Sequence, residues 1–156
     1  MSELVDAPSR EVTLTRVFDA PPQLVWNAWT DPRHMAQWWG PKMFTNPVCE
    51  LDLRPGGTLR IHMCAPDGTV YPMTGTFEEI VPPKRLVFTS VARDNDGNAL
   101  LEGYNVITFE DVGGKTKLTV QSRAVGLVSF APQMLAGMEA GWTQSLEKLA
   151  ALVEGR

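Results

Sequence analysis

Apolar residues near the C-terminus recur at steps of three and four, the spacing of a helix with one apolar face. The pattern runs from residue 130 to about residue 153 and predicts one long amphipathic helix. An apolar stripe of this length has to be buried against another element, so we expect the helix to cover a sheet. The stripe consists of Leu135, Met138, Trp142, Leu146, Leu149 and Val153.

The sheet is predicted by short runs of strand-forming residues, separated by Gly, Pro, Asn and Asp. Neighbouring strands joined by short turns form an antiparallel meander, so the predicted class is α+β. Because one helix seldom covers a wide twisted sheet, part of the concave face is expected to remain as an apolar cavity. The strands are predicted at residues 12–18, 48–54, 58–65, 70–81, 85–92, 101–110 and, after Gly114, up to 123.

Two short helices are predicted between the first strand and the others. Pro22 lies at the first turn of one helix, where its missing N–H would have no helical partner in any case. Asp31 followed by Pro32 repeats this start signal, so residues 33–39 are expected to form the second helix. The predicted order is one strand, two short helices, six strands and the long helix.

The composition is that of one ordinary globular domain, with 156 residues, 44% hydrophobic and 21% charged. We expect a flexible N-terminal tail over residues 1–10 and a single domain over residues 11–156. A net charge of −4 without a cluster of Lys and Arg argues against a nucleic-acid partner. No apolar run is long enough for a membrane span and no secretion signal is visible, so a cytoplasmic protein is predicted. Cys49 and Cys64 are then expected to be buried free thiols.

A series of short motifs carries a family resemblance over residues 11–153. The motifs are VW at 25–26, TDP at 30–32, WWGP at 38–41, RPGG at 54–57, DG at 67–68, IVPPKRLVFT at 80–89 and GMEAGW at 137–142. In order and spacing they resemble the homologues of the activator of the heat-shock-protein-90 ATPase, within the START and birch-pollen-allergen superfamily. The resemblance implies a helix-grip fold: a curved seven-stranded antiparallel sheet with two short helices after strand 1 and one long C-terminal helix.

The resemblance also implies a choice of functions. Similar proteins include pocket proteins for lipids, hormones and polyketides, as well as cyclases and hydrolases, and a shared fold does not choose among them. The co-chaperone that gives the family its name carries an additional N-terminal domain, for which we expect no room in 156 residues. A chaperone-associated interaction protein therefore stands as a third alternative.

Large apolar side chains are expected to line the cavity. In the helix-grip arrangement Met134 and Met138 lie where the helix spans the pocket, and the flexible thioether of Met suits varied apolar ligands. Ordinary core filling explains these methionines equally well. The predicted ligand-binding residues are Trp39, Phe44, Met63, Met73, Phe88, Tyr104, Phe130, Met134, Met138 and Trp142.

Trp38 and Trp39, with Met43 and Phe44, follow the second short helix. They are open to two interpretations, a gate to the cavity or a hydrophobic plug, and the plug is favoured for one of the two tryptophans.

The polar residues of the predicted strands give little support for a function other than ligand binding. Ser90, Asn105 and Ser122 fall on inward positions of their strands, where they would contact buried water or orient a ligand. No catalytic set, metal site or cofactor is predicted. Asp94, Asp96 and Asn98 have the spacing of a calcium loop without its later ligands, and His62 with Cys64 lacks further partners.

The leading hypothesis is the binding of a small apolar molecule between sheet and helix. The alternative is a cyclase- or hydrolase-like enzyme, in which Glu79 or Glu102 would point into the cavity and act as a general base. A homodimer, through an edge strand or the tryptophan pair, is left open.

Overall fold

Seven antiparallel strands form one sheet in the order β1-β7-β6-β5-β4-β3-β2 in the computed structural model, which describes residues 8–155. The predicted α+β helix-grip architecture is confirmed. The strands are β1 (Ser9–Phe18), β2 (Thr45–Leu51), β3 (Thr58–Cys64), β4 (Val70–Val81), β5 (Arg85–Arg93), β6 (Ala99–Val112) and β7 (Lys115–Gly126). The helices are α1 (Pro22–Thr30), α2 (Pro32–Trp38), α3 (Ala131–Ala136) and α4 (Met138–Val153).

The meander is built from tight turns, and its first strand joins its last. Gly113 and Gly114 connect β6 to β7 with φ of 66° and 88°, which is the two-residue hairpin geometry that matches the twist of the strands. β1 then pairs with β7 along its whole length, from Ser9 opposite Val125 to Phe18 opposite Thr116. The sheet is therefore extended at one edge by a pairing between residues more than 90 positions apart in the sequence.

An aromatic cluster fills one end of the concave face. Trp29 and Trp38 are fully buried, with their ring centroids 4.6 Å apart. The ring of Trp29 also meets those of Trp39, Phe109 and Trp142 at 6.2–6.5 Å, and it lies nearly parallel to that of Trp142. One indole thus connects α1, α2, α4 and β6. We call these five rings the tryptophan cluster.

Trp38 also provides a hydrogen-bond donor for a backbone carbonyl of α1. The carbonyl of Ala28 would normally accept a hydrogen bond from residue 32, but that residue is Pro and has no N–H. The indole N–H of Trp38 donates to this buried carbonyl at 2.8 Å instead. The plug interpretation therefore fits Trp38.

The C-terminal helix is not continuous, in contrast to the prediction of one helix over residues 130–153. It is interrupted at Gly137, which separates α3 from α4. Glycine has low helix propensity, and the guanidinium of Arg10 donates to the carbonyls of Leu135 and Ala136 at 2.9 and 3.0 Å. An arginine from β1 therefore binds the carbonyl end of α3.

Two predicted boundaries also change. β1 begins at Ser9, so residues 9 and 10 of the predicted tail belong to the sheet, while residues 1–7 lie outside the described residues. β2 covers Thr45–Leu51 instead of 48–54. Its early part contains Pro47, which a β-bulge accommodates, and Asp52 leaves the strand to bind Arg54 at 2.8 Å.

The structure gives two further findings that bear on the sequence predictions. None of the helices within residues 8–155 is long and apolar enough to cross a membrane. Cys49 and Cys64 are free thiols, as predicted, although each is only partly buried.

The two fully buried tryptophans should respond differently to replacement by phenylalanine. Trp38→Phe leaves the Ala28 carbonyl without its donor, whereas the indole N–H of Trp29 has no acceptor among the described residues. An unsatisfied buried carbonyl costs about 1–3 kcal/mol, so we expect Trp38→Phe to lower the free energy of unfolding by about that much more than Trp29→Phe does. Urea titrations of both variants measure the difference; equal losses would contradict it.

Cys49 should react slowly with alkylating reagents. Burial, with the nearby charges of Asp31 and Glu50, raises the pKa of its thiol from 9.0 to about 11. At pH 8 the reactive thiolate is then about a hundredfold scarcer than in an unperturbed cysteine, and its fraction grows as the pH rises toward 11. Iodoacetamide labelling of a Cys64→Ser variant should be correspondingly slower in the folded than in the urea-unfolded protein. Equal rates would show that Cys49 is not shielded.

Candidate functional site

The cavity begins with a decrease in side-chain size along three neighbouring strands. Residues that pair across β5, β6 and β7 form rows on the concave face, and successive rows become smaller. The large side chains of the first row fill the space above their part of the sheet, whereas the small side chains of the last row leave theirs unfilled. From large to small, the rows are Leu86, Ile107 and Val120; then Phe88, Asn105 and Ser122; then Ser90, Gly103 and Ala124.

The resulting cavity has a volume of about 250 Å³ and lies between the small end of these rows and α3 and α4. For scale, an apolar cavity of roughly 150 Å³ holds one benzene molecule. The residues that line it are apolar or polar without charge, and none carries an ionisable side chain. The cavity is therefore suited to a neutral molecule of one or two rings.

Part of the predicted ligand-binding set lies in the cavity wall. These residues come from the α2–β2 connection, β3, β4, α3 and α4, so the fold brings together positions far apart in the sequence. They are Trp39, Met63, Met73, Met134, Met138 and Trp142.

The other predicted ligand-binding residues do not line the cavity. Phe88 lies in the core, with its ring 6.3 Å from that of Trp39. Phe44 packs against Tyr71. Tyr104 neighbours the inward Asn105 and so points to the other face of the sheet, where 51% of it is exposed, and Phe130 precedes α3 with 48% exposed.

Residues that the sequence prediction missed are mostly small. Ala92, Gly103 and Ala124 line the cavity, as does Leu101. The missed signal was the fall in size along the inward positions of each strand, because a cavity is created by the side chains that fail to fill it.

A chain of hydrogen bonds crosses the sheet at the floor of the cavity. The amide nitrogen of Asn105 donates to the carbonyl of Phe88 at 3.2 Å and to Ser90 Oγ at 3.1 Å. Its amide oxygen accepts from Ser122 Oγ at 2.6 Å. Asn105 is only 3% exposed, and these hydrogen bonds offset the free-energy cost of burying its amide group. We call Ser90, Asn105 and Ser122 the polar triad.

Two polar side chains of α4 hold the opposite wall in place. Ser145 Oγ lies 2.9 Å from the carbonyl oxygens of both Gly40 and Gly141, which share its single proton, and Lys148 Nζ donates to the carbonyls of Trp39 and Pro41 at 3.3 and 3.1 Å. Burial lowers the pKa of Lys148. The segment that carries Trp39 is thereby fixed to the helix that carries Trp142.

The carboxylates of the enzyme alternative lie elsewhere. Glu79 forms an ion pair with Arg85 at 3.0 Å on a solvent-exposed part of the sheet. Glu102 is exposed between the inward positions Leu101 and Gly103 and so points to the other face. Neither lines the cavity, so neither can act there as the general base that this alternative assigned to them.

The calcium-like spacing has a structural explanation. The Asp94 carboxylate accepts hydrogen bonds from the Asn98 side-chain amide and from the backbone N–H groups of Asn98 and Asp96, which together lower the pKa of Asp94. These bonds define a turn between β5 and β6. Within residues 8–155, no group of three or more His, Cys, Asp or Glu side chains is arranged to hold a metal ion.

Comparisons with known proteins agree with this architecture. The family model described as "Activator of Hsp90 ATPase homolog 1-like protein" matches residues 19–154. The solution structure of a protein from Arthrobacter aurescens is 26% identical, with a TM-score of 0.80 over 99% of this chain and 91% of that one. A crystal structure from Chromobacterium violaceum is 28% identical, with a TM-score of 0.78 over 92% and 96% of the two chains.

The crystal structure of the AHSA1 protein from Silicibacter pomeroyi is 26% identical, with a TM-score of 0.77 over 93% of this chain and 98% of that one. A comparison with curated proteins finds no match.

Two glycines in the cavity wall should respond in opposite directions to alanine. A Cβ at Gly141 meets no atom within 4 Å, so Gly141→Ala should gain about 0.5–1 kcal/mol in the free energy of unfolding from its helix propensity. A Cβ at Gly103 would collide with Ser90 Oγ, so Gly103→Ala should lose about 1–3 kcal/mol. Urea unfolding tests both; a destabilised Gly141→Ala would show that this space is not empty.

Proposed function

The chain belongs to the family of Activator of Hsp90 ATPase homolog 1-like proteins, and we propose that its function is to bind a small apolar molecule in the cavity between the sheet and α4. The observation that carries the proposal is a space of about 250 Å³ whose wall is formed by methionine, tryptophan and small residues, with no ionisable side chain. Pockets for small ligands are typically concave, largely apolar and preformed, as this one is.

The hydrophobic effect supplies enough free energy for such binding. A two-ring molecule that buries about 250 Å² of apolar surface gains roughly 6 kcal/mol from leaving water. Association offsets part of this gain through the loss of translational and rotational freedom. A net 6 kcal/mol would correspond to a dissociation constant of about 40 µM, so with part of the gain offset we expect dissociation constants between about 40 µM and 1 mM for simple apolar probes.

Methionines on opposite walls of the cavity favour the binding of ligands of different shapes. Met63 and Met73 come from the sheet, whereas Met134 and Met138 come from α3 and α4. Their unbranched side chains can change rotamer around ligands of different shape at little energetic cost. The proposed ligand class is thus set by size and polarity more than by a fixed outline.

Methyl NMR can test binding directly at these four methionines. In protein labelled with ¹³C at the methionine methyl groups, titration with naphthalene should shift the signals of Met63, Met73, Met134 and Met138 progressively up to its solubility limit. Met35, buried in the core, and Met43, exposed on the surface, are internal controls that should shift much less. Cavity methionines that stay unchanged up to the solubility limit of naphthalene would contradict the proposal.

Filling the cavity should abolish binding without unfolding the protein. Met138→Trp and Gly141→Phe each place a large ring in the space, so we expect naphthalene affinity to fall at least about tenfold. Ala140→Phe is the matched control, because Ala140 lies beside Gly141 on the exposed side of α4. Melting temperatures within a few degrees of the parent would confirm that the fold is kept. Wild-type affinity in both filled variants would place the ligand elsewhere.

A further inference from the structure

The direction of the polar triad is fixed by the backbone. The carbonyl of Phe88 can only accept a hydrogen bond, so the end of the Asn105 amide that faces it must be the nitrogen. The amide oxygen then has to face Ser122, whose hydroxyl donates to it at 2.6 Å. The orientation of the amide, and with it the direction of each hydrogen bond in the triad, follows from one main-chain group.

Counting donors and acceptors leaves one hydroxyl proton free. Both amide protons of Asn105 are used, one on Phe88 and one on Ser90, and the Ser122 proton is used on Asn105. Ser90 Oγ accepts a bond, but its own proton has no acceptor among the described residues. Ser90 lines the cavity. The cavity therefore presents an uncommitted O–H donor at its floor.

An entirely apolar ligand would leave this donor unpaired. A hydroxyl shut away from water without a partner carries a desolvation penalty, so a ligand oxygen that accepts from Ser90 binds better than a carbon in the same place. In the absence of ligand, water can meet the same requirement in a polar corner of this size.

The lack of ionisable side chains among the lining residues also restricts the charge of the ligand. A carboxylate or ammonium in the cavity would be buried without a counter-charge, because no lining residue is ionisable. The nearby Lys148 ammonium donates to two main-chain carbonyls of the rim and lies outside the set of lining residues. A neutral ligand avoids this penalty.

We infer that the cavity selects neutral one- or two-ring molecules that carry a carbonyl or hydroxyl oxygen, with Ser90 donating to that oxygen as the specificity-determining residue. The inference rests on the proposed function and adds the chemical class of the ligand to it. Ser122 differs from Ser90 in this respect, because its proton already belongs to Asn105.

A matched pair of probes separates the oxygen from the ring system. Tetralin is a two-ring hydrocarbon, 1-tetralone adds one neutral carbonyl oxygen to it, and 1,2,3,4-tetrahydro-1-naphthoate adds a carboxylate. Affinities come from the methionine-methyl titration. Ser90→Ala should weaken 1-tetralone about five- to tenfold and change tetralin by less than about twofold. Ser122→Ala should change both neutral probes by a similar factor, and the carboxylate should bind at least about tenfold more weakly than 1-tetralone.

The outcomes distinguish the two proposals. If tetralin binds and Ser90→Ala changes tetralin and 1-tetralone by the same factor, the cavity binds apolar molecules but the inference about Ser90 is overturned. If neither neutral probe binds to the wild-type cavity, the proposed function and the inference both fail. Ser90→Cys, which keeps the side-chain size with a weaker donor, replaces Ser90→Ala if that variant does not fold, and the same selective loss for 1-tetralone is expected.

Discussion

The stacking of Trp142 on Trp29 determines how far α4 lies from the sheet, and the rest of the architecture depends on that distance. Their ring centroids are 6.2 Å apart and the rings are nearly parallel, with Trp38, Trp39 and Phe109 around them. Such a group of rings is incompressible in the way that protein interiors are. It supports α4 at one end of the concave face, while the rows of small residues recede beneath it at the other end. The cavity is the space that remains between α4 and the sheet at the end with the small residues.

The sequence predicted the elements well because their signals are local. Alternation of apolar and polar residues with Gly-rich turns located the strands, and Pro22 and Pro32 located the short helices. The interruption at Gly137 was not predicted, because the low helix propensity of one glycine is a weak local signal and the other contribution comes from Arg10, more than 120 positions earlier in the chain. The first part of β2 was missed because Pro47 argues against a strand, and only the paired strand shows that a bulge accommodates it.

The candidate site was predicted less completely, for a different physical reason. Hydrophobic periodicity shows which side chains point inward but not how deep each one lies, so Phe88 was expected at a ligand and is found in the core. Met134 and Met138, expected at the cavity from the family resemblance together with their helical spacing, are among the residues that line it. The polar triad was visible as three inward polar residues, yet its direction depends on the Phe88 carbonyl, which no side-chain pattern reveals.

The pairing of β1 with β7 has a consequence for the synthesis of the protein. Ser9 is made more than 100 residues before its partner Val125. At translation rates of about 5–20 residues per second, β1 waits for roughly 5–20 s without its hydrogen-bonding neighbour. The tryptophans of α1 and α2 wait about as long for Trp142, which is made more than 100 residues after them. Nascent chains of this protein therefore pass through a period with an unpaired strand and exposed indoles, during which a holding chaperone or slow initiation of neighbouring chains would limit aggregation.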